Sequence, residues 1–546
     1  MTGDTRLDPH ARLPAYRPRQ AEKQAPCQAG CATGADTRGW IGLISQRGQK
    51  GLSDHESFSE AWRIITDVNP FPAVLGRICP HPCEDNCNRD GKDGPVAINA
   101  LERFLGDWAI EAGLPLRAER GPEHPESIGV VGAGPSGLSF AYQMARRGYR
   151  VTVYERAAQA GGMLRYGVPD YRLPPPVLDA EIQRIVDLGV DIKTGIAIAD
   201  GEAMAGLRES HDIIYLGLGA QSGRPLGVPG EEGPGVWSGV DYLARANRGE
   251  SVDLGPRVVV VGGGNTAIDA ARVARRAGCQ VTIAYRRTGT EMPAVASEVV
   301  DARREGVNIE FLVAPTSVVR NESGVTGLVM MRMSLGDPGP DGRRRPIPVA
   351  GSEFVVLADA VVAAVSQEPD RDDLAGLGII GRLAAGVSEV DVGLWAGGDL
   401  LGVGIAGIAI AHGRRAAEAV HAKLRGIPDT PGGATRTIAA GEITLDFLDE
   451  RPRAAGGHLD VAEALAHPDA EVAQTITEEQ FLAEIERCFS CGLCLGCQAC
   501  WMYCTVGAFT KMASPGPGRY FTMSLDACEE CGKCIEVCPC GYLEAI

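Results

Sequence analysis

Aromatic residues make up only 5% of the 546 residues, and positive charge is short, with 53 Lys plus Arg against 70 Asp plus Glu for a net charge of −17. A chain built to bind nucleic acid carries a basic footprint, and this one does not. The negative charge favours solubility and says little about fold. No run of 18 or more apolar residues occurs, so no membrane-spanning helix is expected. The stretch Met1–Gln20 lacks the apolar core of a signal peptide, and the chain is read as cytoplasmic. With 45% apolar and 23% charged residues the composition is that of a globular protein, and the length suits three to four domains.

Glycine and cysteine are what the sequence has in quantity. There are 71 Gly, near twice the usual share, which points to backbone held close to ligands. The 17 Cys are unevenly placed: five lie between Cys27 and Cys87, Cys279 stands alone, and eleven fall between Cys488 and Cys540. Packed thiols in an intracellular chain bind metal more often than they form disulfides. Cys279, alone before a strand, reads as a small buried hydrophobe.

Two segments repeat a strand, Gly-rich turn, helix, strand pattern. In the first, Gly132-Ala133-Gly134-Pro135-Ser136-Gly137 follows the apolar run Ile128–Val131. Its glycines allow a tight turn, close approach of a pyrophosphate, and close helix packing, with the phosphate on the helix N-terminus. Glu155 ends the second strand, where an acid would bind a ribose hydroxyl. Downstream, Gly162 and Leu164 lie in Gly161–Gly167, and Gly398-Asp399 precedes a helix of small residues. In two-nucleotide flavoproteins this combination goes with FAD, with the Asp399 carboxylate on the ribityl chain. In the second segment, Gly262, Gly264, Asn265, Thr266 and Ala267 form the same turn, with Ala in place of the third Gly. Its second strand ends in Arg286-Arg287 and not in an acid. Guanidinium groups suit a 2′-phosphate, which favours NADP(H) over NAD(H). The competing reading is a solvated Arg pair with NADH as the nucleotide.

At the C-terminus, Cys528-x2-Cys531-x2-Cys534-x3-Cys538-Pro539 fits the bacterial ferredoxin spacing, and Cys494-x2-Cys497-x2-Cys500-x3-Cys504 repeats it with Thr505 where Pro is usual. In that design the fourth Cys of each run crosses to the other cluster. Cys494, Cys497, Cys500 and Cys538 are expected to hold one [4Fe–4S] cluster, and Cys528, Cys531, Cys534 and Cys504 the second. Zinc also uses Cys-x2-Cys pairs, but two complete tandem runs argue against it. Cys488, Cys491 and Cys540 are left over, serving either a shifted ligation register or a further small metal site.

The motifs NPFPAVLGRICPHPCEDNC, GPVAINALERF, GVVGAGPSGL, GGMLRYGVPDYRLP, VVVVGGGNTAIDAAR, YRRTGTEMPA and WAGGD, spread over residues 20–425, give the chain a resemblance. It resembles the glutamate synthase small-subunit group of FAD- and NAD(P)H-dependent iron–sulfur oxidoreductases. That group also takes in the N-terminal part of dihydropyrimidine dehydrogenase and the large subunit of NADH-dependent ferredoxin:NADP oxidoreductase. The segment ERCFSCGLCLGCQACWMYC is similar to the ferredoxin extension of longer members. The resemblance implies an N-terminal [4Fe–4S] cluster on Cys31, Cys79, Cys83 and Glu102, against a surface carboxylate role for Glu102. It implies a second cluster on Cys27, Cys87 and two upstream Cys. Arg19 and Glu22 stand in those two places. Either the second cluster is absent, or Cys27 and Cys87 take ligands that the sequence does not identify.

The expected fold is an α/β multidomain chain. A helical N-terminal iron–sulfur domain (1–120) precedes two Rossmann-like dinucleotide-binding domains. The FAD domain spans 125–250 with 390–425, and the NAD(P)H domain 251–369. A linker (426–480) leads to a C-terminal α+β bacterial-ferredoxin-like domain (481–546). A nicotinamide gives up a hydride, clusters take single electrons, and a flavin does both. The expected function is an electron-transfer subunit between NADP(H) and a ferredoxin or larger redox enzyme such as a 2-oxoacid:acceptor oxidoreductase. The alternatives are delivery of NADPH electrons to a glutamate synthase large subunit, a pure relay subunit with inactive nucleotide sites, and a zinc-stabilised scaffold. No acid–base catalytic constellation is expected, and His81, His211 and His412 read as packing or surface residues.

Overall fold

The computed structural model describes residues 16–119, 121–383, 388–429, 435–516 and 518–545. Residues 1–15, on which most of the Met1–Gln20 reading rests, lie outside them.

The N-terminal part is helical because its apolar residues recur at helical spacing behind good caps. Helix Asp54–Thr66 opens with a capping box between Ser53 and Glu56 and buries Phe58, Ala61, Trp62 and Ile65. Helix Ile98–Glu111 crosses helix Pro72–Ile78 at two glycines. A Cβ on Gly76 would fall 2.4 Å from the Arg103 Cα, and one on Gly106 would fall 2.4 Å from the Ala73 nitrogen. This backbone-to-backbone contact brings Glu102, on the first of these helices, beside Cys79, which caps the second.

The first Gly-rich turn leaves the strand Ser127–Val131 at the middle of a six-stranded sheet. The sheet order is Ser388–Asp391, Leu394–Ala396, Ile213–Leu216, Ser127–Val131, Arg150–Glu155, Asp191–Thr194, parallel except for the antiparallel first strand. The second turn leaves Arg257–Val261 in a five-stranded parallel sheet ordered Asn308–Phe311, Gln280–Tyr285, Arg257–Val261, Ala360–Ala363, Val236–Ser238. An antiparallel four-stranded sheet, in which Gly324–Pro338 pairs with each of Val313–Asn321, Arg344–Pro348 and Phe354–Leu357, packs on the second sheet. The strand Val236–Ser238 and the helix Gly239–Asn247 lie upstream of residue 251, so the second unit starts earlier than the sequence reading placed it. The chain crosses between the units at the paired strands Ser222–Gly223 and Gln367–Glu368. Val236–Ser238 is three residues in a Gly- and Pro-rich stretch, too short to show a strand period.

Within the linker, residues 435–480 pack against the rest of the chain. Ile438, Val472 and Ile476 are buried, and Glu471 accepts hydrogen bonds from Arg77 and Arg103 at 2.7 Å each. The tail forms one hairpin, Phe509–Gly516 with Arg519–Met523, and its last strand Leu543–Ala545 pairs antiparallel with Pro18–Gln20. Arg487 fixes the start of the tail against the N-terminal helices. Its side chain is fully buried and donates to Glu484 at 2.5 Å, to Asp93 at 2.8 Å and to the Gly94 carbonyl at 2.8 Å. Arg89 in turn donates to the Arg487 carbonyl and to Asp93. Among the described residues no helix is long and apolar enough to cross a membrane.

Removing one partner of a buried ion pair strands the others at a cost of about 3–5 kcal/mol. Arg487→Ala is therefore expected to lower the free energy of urea unfolding by that amount, with a matching fall in the midpoint. A midpoint within error of the wild type would place the docking of the tail elsewhere.

Candidate functional site

The first Gly-rich turn borders a cleft of about 440 Å³ lined by Gly132, Gly134, Pro135, Ser136, Glu155, Gly162 and Asp399. That volume is in the range of small-molecule and cofactor sites. Gly162, at φ +53°, brings its backbone against Gly134, where an added Cβ would fall 2.7 Å from the Gly134 Cα. The cleft floor is therefore backbone, as a pyrophosphate cradle requires. Glu155 is buried, and its two oxygens accept from the Ala133 and Ala157 amides at 2.7 and 2.8 Å. It thus clamps the Gly-rich turn to the strand. Gly137 sits behind the turn, where a Cβ would meet the Gly132 carbonyl oxygen at 2.0 Å. Gly398 packs on Ser136, whose hydroxyl shares a 2.6 Å hydrogen bond with Tyr215.

Asp399 accepts from the Gly404 amide at 3.1 Å, and burial pushes its carboxyl up to about 6. Leu164 is placed in the apolar core, and the neighbouring Met163 and Tyr166 stand on the cleft wall in its place. His412 does more than pack: its Nδ1 accepts from the Gly398 amide at 3.2 Å and so holds the turn that carries Asp399. These features fit a dinucleotide with a polyhydroxyl arm, which is what FAD presents.

The second cleft is about 630 Å³ and is lined by Gly262, Gly264, Thr266, Arg286, Arg287 and Arg343 among others. Asn265 and Ala267 back it from the helix: the Asn265 carbonyl oxygen accepts from the Val295 amide at 2.9 Å, and Ala267 is fully buried. The two Arg differ. Arg287 is buried and its Nε donates to the Arg344 carbonyl at 2.7 Å. Arg286 is exposed and has no ion-pair partner among the described residues. Arg343 answers to Asp341 at 2.8 Å. Of the three, Arg286 alone has no hydrogen-bond or ion-pair partner among the described residues.

The cysteines gather in four places. Burial, with Cys31, Glu102 and Cys79 close by, pushes the Cys83 thiol far up, and Cys79 is pushed to about 12 by burial and by Glu102. Glu102 itself is pushed up to about 7 by burial, against a 2.8 Å hydrogen bond from Asn69. Cys494, Cys497, Cys500, Cys538 and Cys540 line one small hole in the tail. Cys540 stands 3.9 Å from Cys538, sulfur to sulfur. Cys504, Cys528 and Cys531 all neighbour Cys534, which burial pushes to about 11. Cys27 and Cys87 are gathered with Cys488 and Cys491 around a fourth hole. None of the cysteines is disulfide-bonded. Among the described residues no three His, Cys, Asp or Glu converge as ligands of a single ion. Cys488 and Cys491 carried one signal that sequence reasoning left unused: a ligand set short of two Cys, and a spare Cys-x2-Cys elsewhere in the chain.

Fold and site together define a flavin- and pyridine-nucleotide-binding protein with iron–sulfur ligand sets. Residues 126–413 match the pyridine nucleotide-disulphide oxidoreductase family, and residues 10–114 match the dihydropyrimidine dehydrogenase domain II, 4Fe-4S cluster family. The beta subunit of an NADP(+)-dependent formate dehydrogenase from Moorella thermoacetica is 38% identical, over 73% of this chain and 60% of that protein. The beta subunit of an NADPH-Fe(3+) oxidoreductase from Geobacter sulfurreducens is 41% identical, over 63% of this chain and 51% of that protein. The glutamate synthase [NADPH] small chain of Escherichia coli is 32% identical, over 68% of this chain and 84% of that protein. The chain thus spans little more than half the length of the first two relatives. Among solved structures, Mycobacterium tuberculosis FprA with NADPH overlaps 67% of this chain and 99% of its own, at 17% identity and TM-score 0.49. The chain belongs to the pyridine nucleotide-disulphide oxidoreductase family. It is an iron–sulfur member that takes FAD and NADP, and its resemblance to the glutamate synthase small-subunit group holds.

Asp399 makes the first cleft pH-sensitive. Its folded-state value of about 6 lies above the ordinary 3.8, so the folded chain keeps a proton that the unfolded chain releases. Its contribution to stability is full below about pH 4 and is lost as pH rises through about 6. At about 1.36 kcal/mol per pH unit this is at most about 3 kcal/mol. In the flavin-free chain, Asp399→Asn is expected to flatten the fall in melting temperature between pH 4 and pH 7. A variant profile parallel to the wild type would show that Asp399 is ionised throughout.

Proposed function

We propose that the chain is the electron-transfer subunit of a redox enzyme, passing electrons between NADP(H) and a one-electron partner by way of FAD and iron–sulfur clusters. The observation that carries this reading is that the two nucleotide clefts abut, with Val240 lining both. A nucleotide in each would meet at that shared wall. FAD, when bound, supplies the exchange between a two-electron hydride and single electrons.

The chain's own residues bind and orient. Gly132, Gly134 and Gly162 give a backbone floor, and Asp399 gives a carboxylate for the ribityl hydroxyls. Gly262 and Gly264 do the same for the second nucleotide, and Arg286 supplies the charge for a 2′-phosphate. On the electron-accepting side, Cys31, Cys79, Cys83 and Glu102 would hold a [4Fe–4S] cluster. Cys494, Cys497, Cys500 and Cys538 would hold a second, and Cys504, Cys528, Cys531 and Cys534 a third. The relatives named as beta subunits support a subunit role. The partner is a redox protein that takes single electrons, a ferredoxin or a larger complex. Trp501, Met502 and Tyr503, exposed between Cys500 and Cys504, offer it an apolar face at the tail. Seventeen cysteines without a disulfide suit a reducing compartment such as the cytoplasm.

In an anaerobic titration, NADPH is expected to bleach the flavin and iron–sulfur absorbance, with NADH well behind. Arg286→Ala is expected to raise KM for NADPH by about 10- to 100-fold, the scale of about 1.4–2.8 kcal/mol, and to leave KM for NADH unchanged. Arg287→Ala should act mainly on stability, because that side chain is spent on a carbonyl. Equal losses with both nucleotides would refute the phosphate role of Arg286.

A further inference from the structure

We propose that Cys27, Cys87, Cys488 and Cys491 are the four ligands of a further [4Fe–4S] cluster, built jointly by the N-terminal helices and the start of the tail. The proposal rests on the iron–sulfur part of the reading above and not on its nucleotide part.

The four cysteines line one hole, walled by Ala25, Ile41, Val96, Ile98 and Phe489. Two come from the N-terminal domain: Cys27 in helix Pro26–Gly30, and Cys87 just after helix Pro82–Asp85. The other two come from the other end of the chain and are held there by Arg487, one residue before Cys488.

The surroundings are built for negative sulfur. Arg38 is buried at the hole and donates to the Cys491 carbonyl at 3.1 Å, and Asn88 Nδ2 approaches the Cys491 sulfur at 3.7 Å. Arg89 also lines the hole. Hydrogen bonds and charge of this kind tune and hold cluster ligands.

A recurring backbone device supports the assignment. Ser490 lies in the left-handed region at φ 53°, two residues after Cys488, and its amide donates to the Cys488 sulfur at 3.4 Å. The same arrangement occurs at His81 (φ 46°) after Cys79 and at Glu530 (φ 60°) after Cys528, each amide 3.4 Å from the sulfur. A residue with a Cβ is strained in that region, and strain of this kind is kept where a site needs it. Cys79 and Cys528 were assigned to clusters on other grounds. Cys488 carries their signature without belonging to either of their ligand sets. Arg19 pairs with Glu544 and Glu22 with Arg38, and so they help to seat the tail against the N-terminal part.

The test counts iron and acid-labile sulfide in the anaerobically isolated full chain. It compares the wild type with Cys27→Ser/Cys87→Ser, Cys488→Ser/Cys491→Ser and the fourfold variant, with Cys279→Ser as a distant control and FAD content as the check on folding. Each pair is expected to lose about four iron and four sulfide per chain, and the fourfold variant no more than either pair. No loss from the tail pair would overturn the proposal. So would losses that add, because they would put the two pairs in separate clusters. If the variants do not fold, iron-edge anomalous scattering from wild-type crystals decides: a peak between the four sulfurs supports the site, and none there refutes it. Iron missing from every site would sink the iron–sulfur reading as a whole. Iron at the other ligand sets but not here would sink this proposal alone. Neither result depends on which nucleotide reduces the flavin.

Discussion

The Arg487 guanidinium, shut away from water between Asp93 and Glu484, is the contact on which the arrangement of the two ends depends. A buried charge is tolerated only where it is paired, and here Nη1 and Nη2 are met by two carboxylates and the carbonyls of Gly94 and Pro95, while Nε makes no hydrogen bond. An apolar side chain could shift by a residue and stay buried. A guanidinium with its donors aimed at fixed acceptors cannot, so it sets the register of the tail. Cys488 and Cys491 then arrive at their hole as a consequence. Arg89 reinforces the joint by donating to the Arg487 carbonyl and stacking over Phe489, 5.1 Å from its ring centre.

The proposed ligand sets form a ladder in which each site shares a short stretch of chain with the next. Cys27 and Cys31 join the mixed site to the Glu102 site, as do Cys83 and Cys87. Cys491 and Cys494 join it to the tail. Cys500 and Cys504, and again Cys534 and Cys538, join the two tail sites. Residues three or four apart cannot have Cα atoms farther apart than about 11–15 Å, so successive sites are neighbours by covalent necessity. At the other end, Ala32 and Thr33 follow Cys31 and pack on Gly407, near the start of helix Ala406–Arg425, where a Cβ would meet the Ala32 Cβ at 3.0 Å. That helix follows the Gly398-Asp399 turn of the first cleft. Without the mixed site, the ladder would break between the flavin side and the tail.

What could be read in the sequence was whatever is local. The two Gly-rich turns, the acid and the Arg pair that end their second strands, and the two ferredoxin runs all declare themselves within about thirty residues. What could not be read is closed by tertiary contact. Cys27 and Cys488 come from opposite ends of the chain, and no spacing rule joins them. Val236–Ser238 is too short to show a strand period, yet it is the edge of the second sheet. Leu164 sits inside a glycine motif that borders the cleft, but its side chain turns to the core while Tyr166 faces the cleft, and periodicity does not distinguish the two. Arg286 and Arg287 are equal as letters. Only the Arg344 carbonyl separates the one that is structural from the one left free.

Two histidines are spent on the scaffold, His412 at the Gly398-Asp399 turn and His211 at the start of the strand Ser127–Val131. His412 uses Nδ1 as an acceptor for the Gly398 amide, and burial lowers its affinity for a proton. His211 lies between the Ser127 hydroxyl at 2.8 Å and the Tyr154 hydroxyl at 3.0 Å, and burial lowers it too. A neutral imidazole whose ring nitrogens are spent on the scaffold is a strut. Glu155 is likewise spent, with both oxygens on backbone amides. The polar groups of the first cleft thus hold its walls and leave the Asp399 carboxylate and the backbone floor as the surfaces that the proposed FAD would meet. A site so arranged suits fixing the position of a redox cofactor, which is what the proposed electron transfer asks of it.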